Sequence, residues 1–422
     1  MLVEFSVTNF RSIHERQTLS LVAAAGREHR ETNVFDSGAP ATPELVRSAV
    51  MYGPNASGKS NVLLALGFMR QLVVISGQLV PDVPLNIPAF AFAELASAMP
   101  TEFDIVFVHE GVRYQYGFSV SKDRIHGEWL YAWPEGKQQR WFERSWNAEL
   151  EKTEWHFGSK LSGPKKVWQQ STRDAALLLT IAVQLNAEAL KPPFDWIFGF
   201  VKPVIPYARF TPNFSIEQCQ ADASWKQRVV DFLAATDSGI TDVHIEKKKV
   251  DRPSPSPTAD PALPPMVQIM IGPQEVYDVR FSHKAEDGRE SRFSLTDESG
   301  GTQKLFAMVG PWLDVLEHGY VLVVDELDTS LHPLLIRRLI AMFHDPAINA
   351  KGAQLIFSTH DTSILDGDLF RRDQIWFVEK DRALSTHLYS LTDFSPRKEE
   401  NIARGYLHGR YGALPFVGEL RI

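Results

Sequence analysis

The chain has 422 residues, enough for two or three average domains or for one large α/β domain carrying an insertion. Hydrophobic residues at 44% and charged residues at 23% exclude a collagen, a coiled-coil rod and a chain disordered in bulk. The net charge of −8 argues against indiscriminate nucleic-acid binding without excluding a local basic groove, and the single cysteine, Cys219, excludes an intrachain disulfide or a cysteine metal cage and fits the reducing cytoplasm.

The N-terminus alternates apolar and polar residues and carries early arginines, unlike a signal peptide. The longest apolar runs, 320–324 and 175–183, fall short of the roughly 20 residues of a bilayer span. Neither a secretion signal nor a membrane partner is therefore expected. Residues 2–10 and 19–25 are expected as strands, and 45–52 as a strand entering a glycine-bearing turn, with a helix over 60–72. The proline-spotted stretch 80–100 reads as loop. Residues 103–109 and 113–120, separated by Glu110 and Gly111, read as a hairpin that 127–144 continues as an antiparallel arm. Helices expected over 174–190 and 225–235 suggest an inserted helical lobe. Strands expected over 243–250 and 267–271 bracket a loop whose prolines at 253, 255, 257, 261, 264 and 265 cannot donate ladder hydrogen bonds. From residue 293 the α/β pattern returns: helix 302–318 with Pro311 inside it, strand 321–324, helix 333–343, and strands 354–358 and 374–379. No sustained heptads and no internal repeat occur.

Gly53-Pro54-Asn55-Ala56-Ser57-Gly58-Lys59-Ser60 fits the phosphate-loop pattern G-x-x-x-x-G-K-S/T between an expected strand and an expected helix, with Asn61 following. Gly53 and Gly58 permit the backbone to turn its N–H groups toward phosphate oxygens, and a helix N-terminus adds partial positive charge. Lys59 would reach the β- and γ-phosphates of ATP, and the Ser60 hydroxyl would bind Mg²⁺. The apolar strand before Asp325-Glu326 delivers two acids to a sheet edge: Asp325 to hold the magnesium, Glu326 to polarise the attacking water. Strand 354–358 ends at Thr359-His360-Asp361, which would set His360 beside the γ-phosphate. Ser299-Gly300-Gly301-Thr302-Gln303 opens a helix and offers a second anion-binding N-terminus. Without the phosphate loop each of the last three would read as an ordinary strand end, surface histidine or loop.

This order resembles the ABC ATPase superfamily, in its chromosome-maintenance, recombination-mediator and overcoming-lysogenization-defect branch. The residues that carry it are Asn9-Phe10-Arg11-Ser12, the phosphate loop, Ser299 to Gln303 as signature, Asp325-Glu326, Asp328-Thr329-Ser330-Leu331-His332-Pro333 as D-loop and His360 as switch. Residues 1–24, Tyr114-Gln115-Tyr116-Gly117-Phe118 and Tyr406 to Pro415 extend the resemblance to the RloA type of abortive-infection ATPase. His332 departs from the common D-loop aspartate, and no clear Q-loop glutamine stands out beyond Gln115, a weak candidate.

The resemblance implies an ABC-type P-loop fold, a central mixed sheet flanked by helices with an antiparallel β arm, an inserted helical and β lobe and no long coiled coil. Its halves would be 1–144 and 266–422, with the lobe at 145–265. It implies a homodimer or higher oligomer joined head to tail, in which Ser299, Gly300, Gly301 and Gln303 of one subunit cover ATP held by Lys59 of the other. Asp328 and Ser330 would act in the D-loop, and Arg11 would lie near the nucleotide. With 62 residues after His360 and no acidic cluster of metal-ligand spacing among them, a nuclease would be a separate chain, of Toprim type by the resemblance. DNA or a phage component is a further candidate partner, with Lys165-Lys166 and Lys247-Lys248-Lys249 as short basic runs that otherwise read as solvated faces. The competing reading is a DNA-binding repair or recombination ATPase. A transporter motor fits less well, because about 240 residues separate Ser60 from Ser299.

Overall fold

The computed structural model describes residues 1–78, 83–93, 96, 99–202, 205–206, 210–236, 239–249, 275–285, 287–329, 331–395 and 400–415. The chain forms two compact units, one of Met1–Ala208 with Val315–Ile422 and one of Arg209–Asp314.

The first unit holds two large sheets. One is seven-stranded and antiparallel, in the spatial order Lys152–Phe157, Gln139–Asn147, Ile125–Trp133, Val112–Val120, Thr101–His109, Leu2–Thr8, Gln17–Ser20. Period-two alternation puts Phe103, Ile105, Phe107, Tyr116, Phe118, Leu130 and Phe142 on its buried face. The hairpin between Thr101–His109 and Val112–Val120 turns at Glu110 and Gly111, both with positive φ (50° and 74°), which suits the right-handed twist of the flanking strands. On the opposite face Trp129 lies over Gly117, where a Cβ would come within 2.4 Å of the indole. The Trp129 indole N–H and the Gln115 amide both donate to Asp104.

The other sheet is six-stranded, in the order Ile205–Pro206, Val321–Asp325, Gln354–Ser358, Ser48–Tyr52, Ile375–Lys380, Thr386–Ser390, parallel except for the last pair. Its central strands are apolar and almost wholly buried, as expected of strands covered on both faces. The pairing of Val324 with Phe357 and of Ser358 with Met51 brings Tyr52, Asp325 and Ser358 to one carboxyl edge. Helix Lys59–Ile75 leaves that edge and buries Val62, Leu63, Leu66, Met69 and Val73 in the core. Among the described residues, Lys59–Gln78 is the one helical stretch with the length and apolar character of a bilayer span.

A buried ion pair ties the antiparallel sheet to a helix. Glu128 and Arg144 lie 2.9 Å apart, almost fully buried. Glu128 also accepts hydrogen bonds from the Tyr116 hydroxyl at 3.0 Å and from the backbone N–H groups of Leu178 and Leu179, at the start of helix Leu178–Gln184. A carboxylate at a helix N-terminus meets both orphan donors and the positive end of the dipole. The C-terminal tyrosines build a second cluster: Phe377 stacks on Tyr406 and Tyr411 with centroids 5.3 and 5.5 Å apart, and Tyr406 reaches Tyr52 at 5.8 Å.

The second unit pairs helices Asn213–Ala221 and Ala223–Ala234 with a three-stranded antiparallel sheet, Ile240–Lys249, Glu275–Lys284 and Glu290–Ser294. Helix Ala223–Ala234 starts where the Asp222 carboxylate caps the Ser224 N–H, and it buries Trp225, Val229, Val230 and Leu233. Helix Gly300–His318 contains Pro311, which cannot donate to Ala307. The Ser215 hydroxyl is inserted one residue earlier, donating to the Phe306 carbonyl and accepting the Gly310 N–H.

The units divide the chain at 208/209 and 314/315 rather than at 145 and 265. The antiparallel sheet continues through Lys152–Phe157, and Leu178–Gln184 packs into the same core, so the helices expected at 174–190 and 225–235 lie in different units rather than in one lobe. The first of them is only seven residues long. The proline-rich loop and the strand expected over 267–271 fall outside the described residues.

Candidate active site

The phosphate loop is built by close approach. A Cβ on Gly53 would sit 2.1 Å from the Val378 carbonyl oxygen, and one on Gly58 would sit 2.1 Å from the Thr386 hydroxyl. Gly58 also takes φ of 111°, and Ala56 takes a left-handed φ of 62°. Only glycine fits the two ends of the loop. Pro54, Asn55 and Ala56 form its exposed or half-exposed crest, while Ser57 is buried with a hydroxyl that has no hydrogen-bond partner among the described residues.

Lys59, the first residue of the helix, is 6% exposed and folds its ammonium back on the carbonyl oxygens of Gly53 at 2.7 Å and Pro54 at 3.1 Å. Burial lowers its pKa to about 8, against the pull of Asp325, Glu326 and Asp328, which favour the charged form. Ser60 follows, half-exposed, and the next two N–H groups of the first helical turn, those of Asn61 and Val62, donate to the Gly58 carbonyl at 2.9 and 3.1 Å. Asn61 does not face the loop: its amide donates to the Ser12 hydroxyl at 2.7 Å.

Asp325 ends its strand, and Glu326 leaves it with a left-handed φ of 55°. The neighbouring Ser358 hydroxyl donates to Asp325 Oδ1 at 2.6 Å and accepts the Glu326 N–H at 2.8 Å. Glu326 is exposed, with its side chain free for solvent or ligand. Asp328 accepts the His360 N–H at 3.1 Å, and its other oxygen is buried with no partner among the described residues. His360 is held below the ordinary imidazole range by desolvation first and the Lys59 charge second, with Asp328, Glu326 and Asp325 opposing. Lys59, Asp325, Glu326, Asp328 and His360 thus feel one another's charge at the carboxyl edge. Tyr52, directly before the loop, donates to the Asp361 carbonyl at 3.2 Å, and burial pushes its phenol far up.

In the second unit Ser299 caps helix Gly300–His318, its hydroxyl accepting the Thr302 N–H at 3.1 Å. Gln303 donates to the Glu298 carbonyl at 2.8 Å, and the Glu298 carboxylate meets His283 at 2.7 Å. Ser299 and Gly300 are exposed, Gly301 and Gln303 half-exposed. A Cβ on Gly300 would meet nothing within 4 Å, so glycine there leaves bare backbone.

Two sequence candidates lie elsewhere. Arg11 is exposed over the Phe10 ring and lines a groove of about 380 Å³ with Leu64, Gly67, Phe68 and Arg70, one to three turns along the helix from Lys59.

 Among the described residues no hydrogen bond or ion pair carries Arg11 to the phosphate loop. Gln115 sits mid-strand in the antiparallel sheet, bound to Asp104, and not at the carboxyl edge. Ser330 lies outside the described residues. His332, in place of an aspartate, caps helix Pro333–His344 through the Leu334 N–H at 3.3 Å.

Sequence reading missed three supporting residues. Ser358 was legible only as a strand end, Ser12 carried a resemblance but no role, and Thr386 lies in a strand whose run Ala383 to Ser390 lacks a clear apolar alternation. Among the described residues no group of three or more His, Cys, Asp or Glu assembles a metal cage. Were Mg²⁺ bound at this edge, Ser60 and Asp325 would be the side-chain oxygens to hold it, beside water and phosphate.

A family model described as "AAA domain, putative AbiEii toxin, Type IV TA system" matches residues 48–366. Comparison with curated proteins gives no match. Among solved structures, the SMC head domain from Thermotoga maritima aligns at 13% identity over 92% of this chain and 98% of that one, with a TM-score of 0.40. The Smc head domain with an extended coiled coil from Pyrococcus furiosus, bound to the C-terminal domain of ScpA, aligns at 12% identity over 92% and 96%, with a TM-score of 0.40. The Smc head domain with a coiled coil and joint from Pyrococcus yayanosii aligns at 10% identity over 97% and 99%, with a TM-score of 0.41.

Proposed function

The chain belongs to this AAA-domain family, matched over residues 48–366, and from that premise we propose that it is a magnesium-dependent ATP hydrolase that switches an anti-phage, abortive-infection complex. The observation that supports hydrolysis is the shared electrostatic neighbourhood of Lys59, Asp325, Glu326, Asp328 and His360 around a glycine-walled loop. The loop amides and Lys59 bind the phosphates of ATP. Glu326, exposed and unpaired beside a fixed Asp325, takes the proton of the attacking water, and His360 donates toward the γ-phosphate. Bound magnesium would neutralise phosphate charge between Ser60 and Asp325.

The exposed, serine-capped start of helix Gly300–His318 supports a head-to-tail dimer in which Ser299, Gly300 and Gly301 of one subunit complete the site of the other. The effector of such a switch is a separate chain, a nuclease of Toprim type, and the AbiEii wording of the family description supports the defence setting. Mixing tests the shared site. Lys59→Ala and Ser299→Arg proteins, each inactive alone, leave one intact site per mixed dimer, so their mixture should recover ATP turnover. A mixture as inactive as its components removes the shared site. Purification from the native operon should recover the nuclease chain, and cells protected by this chain alone would remove the effector.

A further inference from the structure

Behind the phosphate loop, on the side away from its crest, three side chains form one directed chain of hydrogen bonds. The Thr386 hydroxyl donates to the Ser57 carbonyl at 2.9 Å. Its single proton is thereby committed, so at its 2.7 Å contact with Ser12 it is the acceptor and Ser12 the donor. The Ser12 oxygen in turn accepts the Asn61 amide at 2.7 Å. Thr386 is fully buried and Ser12 nearly so. The arrangement is fixed from both ends of the sequence, because the Thr386 N–H also donates to the Ser12 carbonyl at 2.7 Å and the His14 N–H to the Ser385 hydroxyl at 3.3 Å.

The chain has a geometric consequence. In a trans peptide the carbonyl and the N–H point in opposite directions. Holding the Ser57 carbonyl outward on Thr386 turns the Gly58 N–H the other way, into the loop. Gly58 has no room for a side chain because the Thr386 hydroxyl occupies the place of its Cβ, at 2.1 Å, with Ser12 Oγ at 3.0 Å. We propose that Thr386 and Ser12 are positioning residues that aim the Gly58 N–H at a bound phosphate. The proposal rests on the reading of this loop as a nucleotide site, and the experiment separates the two.

Calorimetry with Mg-ADP on the full chain reads it, with thermal unfolding as the control for folding. Thr386→Val keeps the shape and removes the hydroxyl, and affinity should fall about tenfold, equivalent to roughly 1.4 kcal/mol. Thr386→Ser keeps the hydroxyl and should stay within about threefold of the unmodified protein. Ser12→Ala reads the same chain from its middle, should weaken binding in the same direction, and replaces Thr386→Val if that variant does not fold. Unchanged affinity in Thr386→Val overturns the proposal, as does an equal loss in Thr386→Ser, which would make size rather than the hydroxyl the cause. Lys59→Ala is the control for the site itself. If Lys59→Ala binds Mg-ADP as the unmodified protein does, the nucleotide reading fails; if it loses binding while Thr386→Val does not, only the positioning role fails.

Discussion

The Ser358 hydroxyl donates to Asp325 at 2.6 Å and accepts the backbone N–H of Glu326 at 2.8 Å, so one small side chain on the next strand fixes both acids of the site. Ser358→Ala removes both bonds and leaves the Glu326 N–H without its partner. Stability should fall by about 1–2 kcal/mol. ATP turnover should fall about tenfold, and the magnesium concentration for half-maximal rate should rise, since the carboxylate meant for the metal is no longer held. Titration of magnesium against phosphate release measures both. An unchanged magnesium requirement would leave Ser358 a packing role only.

Glu326 is exposed, and among the described residues its side chain takes no hydrogen bond that would hold it back from solvent. Glu326→Gln should retain ATP affinity within about twofold and lose about 10²–10⁴ in turnover. Single-turnover phosphate release together with nucleotide binding separates the two effects. Turnover near that of the unmodified protein would take the base role from Glu326.

Lys59 carries a pKa of about 8, lowered by burial. Phosphate favours its charged form, so nucleotide binding should take up protons near and above pH 8. Affinity for ADP should be flat below pH 7 and weaken by up to about tenfold per pH unit above 8. Calorimetry in buffers of different ionisation enthalpy detects the uptake, and a flat profile to pH 9.5 would contradict it. The unliganded fold carries the opposite sign. A lysine whose folded pKa, about 8, lies below its unfolded value of 10.5 binds fewer protons folded than unfolded between the two, so its contribution to stability rises with pH across that window.

Arg144 is almost fully buried against Glu128, which also holds two helix N–H groups. Arg144→Leu leaves a buried carboxylate without its cation and should cost about 3–5 kcal/mol in denaturant unfolding. The double change Arg144→Leu with Glu128→Gln should recover part of that loss, because the uncompensated charge goes with it. A loss below about 1 kcal/mol for the single change would show that the helix N-terminus alone carries the charge.

The parts of the fold legible in the sequence are those where local pattern and tertiary fate agree. Strand 354–358, the hairpin through Glu110 and Gly111, and the turn from Tyr52 to Lys59 follow from apolar runs broken by glycine. The residues of the site that share a carboxyl edge were legible for the same reason, since a buried strand can present acids or a histidine only at its end. Partition into units was not legible, because Lys152–Phe157 reads as polar in isolation and joins the sheet only through Gln139–Asn147. Motif position says which residue is near a loop and not where its amide points: the Asn61 amide turns to Ser12 and that of Gln115 to Asp104. Ser12 and Thr386 are 374 residues apart, and no local signal marks two hydroxyls that meet only when the sheets close.

That separation gives the site a place in time as well as in space. The wall behind Gly58 is supplied by a residue synthesised 329 positions after Ser57, and Tyr52 waits longer still for Tyr406. A nascent or prematurely ended polypeptide carries the complete phosphate-loop motif without the hydroxyl that holds the Ser57 carbonyl behind it.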